Sequence, residues 1–280
     1  MTLAVLSTGV LTTVQDRGRR GLAHLGVPRA GALDAPAAAL ANRLVGNHPD
    51  AAVLEVTLGG LSFRAGTGLW IAVTGAPAPV RVAGRARGVQ RPEWVPAGAV
   101  VTLDPPAIGV RSYVAVSGGI AVPPVLGSRA TDTLAWVGPP RVAPGDRLPL
   151  GGATEPRPLD TPPVRRPGEL RLHPGPRADW FAPAALDRLT ATTWRVEPAS
   201  DRIGLRLAGP PLPRSREGEL ASEGMVLGAV QVPPSGQPIV FLADHPPTGG
   251  YPVIAVVEEA DLWRCAQARP GEPIRFTTTG

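Results

Sequence analysis

A chain of 280 residues with 34 Gly, 35 Pro and 43% apolar residues is long enough for two domains and reads as turn-rich, mainly β and globular. All 28 basic residues are Arg, which excludes a lysine-dependent phosphate loop and a Schiff-base nucleophile. A net charge of +5 without any basic run argues against nucleic acid as a partner.

Short β-type segments recur along the chain between Gly and Pro turns. Leu3–Leu6 is the first. A helix is expected over Asp34–Val45, with Asp34 at the N-cap, Pro36 in the first turn, apolar Leu40 and Leu44, and Gly46 as the stop. Strands follow at Val53–Leu58, Leu69–Thr74, Val100–Leu103 and Ser112–Val116. Glu55 lies inside the apolar Val53–Leu58 run, so it either faces water or needs a partner such as Arg. Thr154–Pro167 carries Pro156, Pro158, Pro162, Pro163 and Pro167, and is the best linker candidate. It sets domains at 1–160 and 161–280. Beyond it come strands Leu170–His173, Trp194–Val196, Gly204–Leu207, Ile239–Ala243, Val253–Val257 and Ile274–Phe276. Helices are expected at Asp179–Leu189 and Glu259–Ala268. Pro-Gly turns precede strands near Gly98, Gly145 and Gly271, a recurrence compatible with two related barrels.

Cys265 stands alone, so neither an intrachain disulfide nor a Cys-based zinc site is expected. His24, His48, His173 and His245 are not spaced three or four apart, so no helix presents a His pair to a metal. No window approaches a membrane-spanning apolar run, and no leader pattern opens the chain. A soluble, cytoplasmic protein is the expectation.

Four polar, Gly-flanked clusters stand out. The first runs through Asp16, Arg17, Arg19, His24 and Asp34. Arg can grip a carboxylate or phosphate through two parallel bonds, and glycines allow close backbone approach. The plainer alternative is an Asp–Arg pair that holds a long loop. The second is Ser200, Asp201 and Arg202, where a turn role competes with a ligand role. The third holds Glu223, Gln231 and Gln237. The fourth follows the Ile239–Ala243 strand: Asp244, His245, Thr248, Gly249 and Gly250. Polar groups at the end of a rigid strand are a usual place for a site. His245 is either an acid or base or an exposed turn residue. Asp16, Glu223 and Asp244 are the carboxylates expected to act chemically. Arg17, Arg19, His24 and Asp34 are expected to line one substrate groove. Glu223, Gln231, Gln237, Asp244 and Thr248 are expected to share one pocket wall beside Gly249 and Gly250, with Ser200, Asp201 and Arg202 at its rim.

These clusters, in this order, resemble a known family. The run Thr12 to Gly46 is similar to the opening of the 5-oxoprolinase C-subunit family, also called KipA-like or allophanate-hydrolase-subunit-2-like. The likeness continues through Leu54-Glu55-Val56-Thr57, Ser117-Gly118-Gly119, Pro174-Gly175-Pro176, Ser200-Asp201-Arg202, Ser222-Glu223-Gly224, and Thr248-Gly249-Gly250-Tyr251-Pro252. The same family corresponds to one half of the carboxyltransferase domain of biotin-dependent urea carboxylase. The resemblance implies a mainly β fold of two cyclophilin-like barrels. It implies a KipI-like B-subunit and a hydrolase A-subunit of 5-oxoprolinase as partners, with a lactam or amide substrate and ATP consumed by the complex. The nucleotide would be bound by a partner or at a shared site. Biotin, if used, is not attached to this chain, which lacks lysine. Two alternatives are a carboxyltransferase half acting on urea or a related amide, and a regulatory protein that antagonises a kinase inhibitor. The sequence departs from the family at Pro246 and Pro247, where Gln and Thr are usual, and at Ala30 and Ala130, where Ser is usual. Those changes bear on the substrate.

Overall fold

The computed structural model describes residues 1–156, 168–216, 218 and 220–278. The described chain is mainly β with a few short helices and resolves into two compact units. The first takes Met1–Arg19, Ala30–Asp132 and the chain from Trp136; the second takes Arg20–Arg29, Thr133–Ala135 and the C-terminal part. Most of the expected linker, residues 157–167, lies outside the described residues. Its start is held in the first unit, where the Thr154 hydroxyl donates to the Val45 carbonyl at 2.7 Å. Among the described residues, no helix is long and apolar enough to cross a membrane.

The first unit is built on two antiparallel sheets. One runs in the order Arg147–Pro149, Thr2–Thr8, Leu61–Ala65, Val100–Leu103, Val80–Val82 and Arg85–Arg87. The other runs Leu11–Gln15, Val53–Thr57, Arg111–Val116, Leu69–Gly75 and Pro92–Val95. Alternate side chains on a strand point to opposite faces, so Leu61, Phe63 and Ala65 are buried while Arg64 is exposed. These residues join Leu54, Val56, Ile71 and Val114 of the other sheet in one core. The strand Leu11–Gln15 was not expected, because its polar residues hide the pattern. Yet Thr12, Thr13 and Gln15 are buried, and the Gln15 amide donates to the Thr131 carbonyl at 2.9 Å.

The helix Ala35–Leu44 forms as its sequence demands. The Asp34 carboxylate accepts the Ala37 N–H at 3.0 Å, and Pro36 sits in the first turn, where its missing N–H costs nothing. Ala37, Leu40, Ala41 and Leu44 pack over Tyr113 and Ala115 on the outer face of the five-stranded sheet. That sheet is therefore covered on both faces, and Arg111–Val116 is buried at every position.

Double coverage makes Glu55 a buried carboxylate that needs partners. Its Oε2 accepts the Tyr113 hydroxyl at 2.8 Å and the Leu33 N–H at 3.0 Å, and Arg111 Nε lies 3.6 Å from Oε1. The Tyr113 oxygen in turn accepts the Asp34 N–H at 2.7 Å, which ties the helix start to the sheet. Burial, then the Glu55 charge, pushes the Tyr113 phenol well above its usual range, so it stays a donor.

The second unit is an eight-stranded sheet in the order Pro273–Ile274, Trp194–Val196, Gly204–Ala208, Ile239–Phe241, Ala229–Gln231, Val253–Val257, Leu170–Pro174 and Phe276–Thr278. Only Arg275 separates the first strand from the last. The two edges of the sheet therefore belong to one continuous segment, and the sheet closes into a barrel with no free edge there. The strand expected at Ile274–Phe276 is this closing segment. Leu170, Leu172, Trp194, Leu207, Val230, Val240 and Phe276 are buried. The Trp194 indole donates to the Leu189 carbonyl at 2.9 Å, so this large apolar residue leaves no donor unmet. The helix expected over Asp179–Leu189 is broken into a 3-10 turn, Ala178–Trp180, and an α-helix, Ala185–Ala191. Pro183 lacks an N–H and disfavours helical backbone before it, and Phe181 is extended.

The Glu55 arrangement gives the first prediction. Tyr113→Phe removes one donor to a buried carboxylate and one acceptor for the Asp34 N–H. It should destabilise the chain by about 1–3 kcal/mol in urea unfolding without changing the slope with denaturant.

Candidate functional site

Asp16, Arg17, Arg19 and Asp34 of the first polar cluster each turn to partners of their own. Asp16 Oδ1 accepts the Ser128 hydroxyl at 2.6 Å and the Gly18 N–H at 2.8 Å, while Oδ2 accepts the Arg129 N–H at 2.6 Å. Arg19 is buried and donates to the carbonyls of Val125 at 3.1 Å and Ala130 at 2.6 Å. Both side chains thus hold the loop from Val125 to Ala130. Arg17 is exposed and pairs with Asp50. Asp34 caps its helix, as expected from sequence. His24 is exposed in the 3-10 turn Ala23–Leu25, within a segment grouped with the second unit. Asp16 and Arg19 each hold the loop from Val125 to Ala130 through hydrogen bonds of their own.

Several residues expected on the second pocket serve turns instead. Asp201 Oδ1 accepts the N–H groups of Ile203 at 2.8 Å and Gly204 at 3.1 Å. The Ser200 hydroxyl accepts the Arg206 N–H at 3.0 Å. Gln237 uses both ends of its amide on Gly209, each at 2.9 Å. Arg202 is not at a rim. It is buried against buried Asp244, with Nε to Oδ2 and Nη2 to Oδ1 both at 2.9 Å. Thr133 adds its N–H at 2.9 Å and its hydroxyl at 2.7 Å to Oδ2. A carboxylate buried this deeply needs such a set of donors, so Asp244 is committed to structure.

What does converge is Glu223, Gln231, Thr248, Gly249 and Gly250. The strands Glu223–Gly224 and Thr248–Gly249 form a two-stranded ribbon in the register Glu223 to Gly249 and Gly224 to Thr248. The Leu220 N–H donates to the Gly250 carbonyl at 3.2 Å. Gln231, at the end of its barrel strand, lies beneath the ribbon. Its amide nitrogen donates to the Tyr251 carbonyl at 3.1 Å and lies 3.8 Å from the Met225 sulfur. A Cβ on residue 249 would sit 2.8 Å from that nitrogen, which explains a glycine there. Sequence reasoning missed Arg177, whose guanidinium forks onto Glu223 with Nε 2.8 and 3.0 Å from the two carboxylate oxygens. It also missed Arg214, 5.9 Å above the Tyr251 ring. Their partners lie 46 and 37 residues away, beyond the reach of local pattern.

Charge states follow from these contacts. The Arg177 hydrogen bonds hold the Glu223 carboxyl below the usual range, so it is ionised at neutral pH and is no proton donor. His245 is buried and stacks on Phe241, with centroids 5.7 Å apart and planes at 16°. Its Nδ1 lies 2.8 Å from the Pro246 carbonyl, which can only accept. Nδ1 therefore carries the proton, and Nε2 presents a lone pair. Burial lowers the His245 pKa, with the Arg29 charge acting the same way against the Pro246 hydrogen bond. The Cys265 thiol is pushed up to about 12 by burial, so it is no thiolate nucleophile. No group of three or more His, Cys, Asp and Glu among the described residues could hold a metal ion.

Two predictions follow from this region. Arg202→Met strands the Asp244 charge and should cost roughly 3–5 kcal/mol of stability in denaturant unfolding. The second concerns pH. The folded His245 binds its proton less readily than the unfolded chain does, so its contribution is fully present above the unfolded pKa, roughly 6.5. It is lost as pH falls through the lower, folded value. His245→Gln should therefore flatten part of the stability loss seen in unfolding titrations between about pH 7 and pH 5.

Residues 25–278 match the family described as carboxyltransferase domain, subdomain A and B. The chain is 42% identical to the C-subunit of 5-oxoprolinase from Escherichia coli (strain K12), covering 98% of this chain and 90% of that protein. The solved structure of TTHA0988 superposes with a TM-score of 0.89 at 40% identity, covering 99% of this chain and 55% of that one. The K. lactis urea amidolyase structure superposes at 0.92 with 29% identity, covering all of this chain and 19% of that one. This chain therefore spans about half of one solved relative and about a fifth of the other. With a matching fold and family signature along nearly its whole length, the chain belongs to the family of the carboxyltransferase domain, subdomains A and B.

Proposed function

We propose that this chain is the C-subunit of an ATP-dependent 5-oxoprolinase, acting with a KipI-like B-subunit and a hydrolase A-subunit to open 5-oxo-L-proline to L-glutamate. The observation that carries the reading is the 42% identity to a protein of that name over 90% of its length. The lactam is a stable amide, so its opening needs activation as well as a water nucleophile. This chain offers a neutral imidazole, His245, and an arginine-bordered ribbon at Glu223. It offers no fitting cradle for nucleotide phosphates among the described residues. It has no lysine, and the N-terminus of its longest helix already carries the Asp34 carboxylate. ATP is then bound by a partner or at a site shared with one.

A second reading is supported by the K. lactis urea amidolyase match, which covers all of this chain. In that reading the chain is the carboxyltransferase half of a biotin-dependent enzyme acting on urea or a related amide, with biotin attached elsewhere.

Co-expression with both partners separates the two. The assembled complex should release glutamate from 5-oxoproline only with ATP, and the isolated chain should show no turnover. Substantial turnover by the chain alone would sink the first reading. Biotin-dependent carboxylation of urea, without 5-oxoproline turnover, would favour the second.

A further inference from the structure

We propose that the ribbon of the second unit, at Arg177, Glu223 and Gln231, binds a small ligand that joins a carboxylate to an amide N–H. The site is read from geometry; naming 5-oxoproline as its natural occupant rests on the function proposed above.

Gln231 is the first observation. The residue is only 5% exposed. Two acceptors, the Tyr251 carbonyl and the Met225 sulfur, face its amide nitrogen. A flipped amide would set oxygen against oxygen, so the orientation is fixed. The side-chain oxygen then points away from those acceptors and receives no donor among the described residues. The oxygen is not among the buried atoms sealed from solvent, so an N–H of a small ligand can reach it.

The arginines are the second observation. Arg177 uses Nε and Nη2 on Glu223, and its Nη1 meets no acceptor among the described residues. The side chain is 39% exposed, so that nitrogen is reachable. Arg214 donates to the Val232 carbonyl at 2.5 Å, while its Nε is buried without an acceptor among the described residues.

A circuit of contacts links the elements that carry these groups. Arg177 reaches Glu223, and Glu223 pairs with Gly249. Two residues on, Tyr251 lies under Arg214. Arg214 bridges to Phe181, and the Ser215 N–H returns to the Trp180 carbonyl at 2.9 Å. The Trp180 N–H closes the circuit on the Arg177 carbonyl at 3.1 Å. Gln231 lies below, beneath Gly249.

Ligand chemistry follows from this inventory. Arg177, Arg214 and Arg216 against Glu223 and Asp179 leave one net positive charge, which suits a monocarboxylate. A guanidinium edge matches a carboxylate in geometry. The Gln231 oxygen takes the N–H, and the aromatic surfaces of Trp180 and Tyr251 suit a small ring.

Calorimetry on the full-length chain tests the site with three probes: 5-oxo-L-proline, its carboxamide and its N-methyl derivative. The acid should bind roughly ten- to a hundred-fold more tightly than either analogue, the range expected for one lost charge-assisted contact. Arg177→Met should erase the preference for acid over carboxamide. Gln231→Leu should erase the preference for N–H over N-methyl, with thermal melts confirming that both variants fold. Equal binding of the three probes, no binding, or an equal loss for all three in Arg177→Met would overturn the proposal. In the assembled complex, Arg177→Met should raise KM about tenfold or more with little change in kcat. An active complex with unchanged KM refutes the site and leaves the functional reading intact. An assembly inactive on 5-oxoproline, built from a chain that shows the probe preferences, refutes the functional reading and supports the site.

Discussion

The second unit depends on one constraint: the Asp244 carboxylate has no access to water and must be satisfied by protein. Arg202 meets it with two parallel bonds, and Thr133 adds two more. The backbone repeats the link, since the Asp244 N–H donates to the Arg202 carbonyl at 3.1 Å and the Leu242 N–H to the Ile203 carbonyl at 2.9 Å. Guanidinium suits this task because it is planar and always charged, so a chain whose only strong bases are arginines is well supplied for it. Leaving either partner alone would bury an uncompensated charge, which costs far more than the intact pair contributes.

From that anchor the chain passes directly to the ribbon. His245 is buried against Phe241, and Pro246 and Pro247 restrict the backbone that follows. The Met225 N–H donates to the Pro247 carbonyl at 2.8 Å, and the Glu223 to Gly249 pairing begins there. The placement of Glu223 opposite Arg177, and of Tyr251 beneath Arg214, is therefore a consequence of how residue 244 is held. The departures from the family pattern at 246 and 247 fall on this connection. They remove two side chains and leave the backbone acceptors of both residues in use.

A division of labour runs through both units. Polar groups turned inward serve architecture: buried Glu55 joins the helix start to its sheet through Tyr113, and half-buried Asp16 and buried Arg19 hold the loop from Val125 to Ala130. The groups of the ribbon keep capacity in reserve, as the Nη1 of Arg177 and the oxygen of Gln231 show.

Sequence alone determined whatever depends on local chemistry. The helix at Ala35–Leu44 was legible because its cap, its proline and its apolar spacing act within a few turns. Most barrel strands were legible because their apolar runs are bounded by turn residues. The strand Leu11–Gln15 was not, since its buried threonines and glutamine mimic a surface segment until the partners at Thr8 and Thr131 are known. The ordered motifs also carried the family. Only the tertiary structure decided which charges would be paired. Asp16, Arg202, Asp244 and Glu223 look alike as polar residues beside glycines, yet their partners lie between 42 and 113 residues away. Chain distance says nothing about such pairing. It is set by which strands become neighbours, and by the cost of leaving a buried charge without its counterpart.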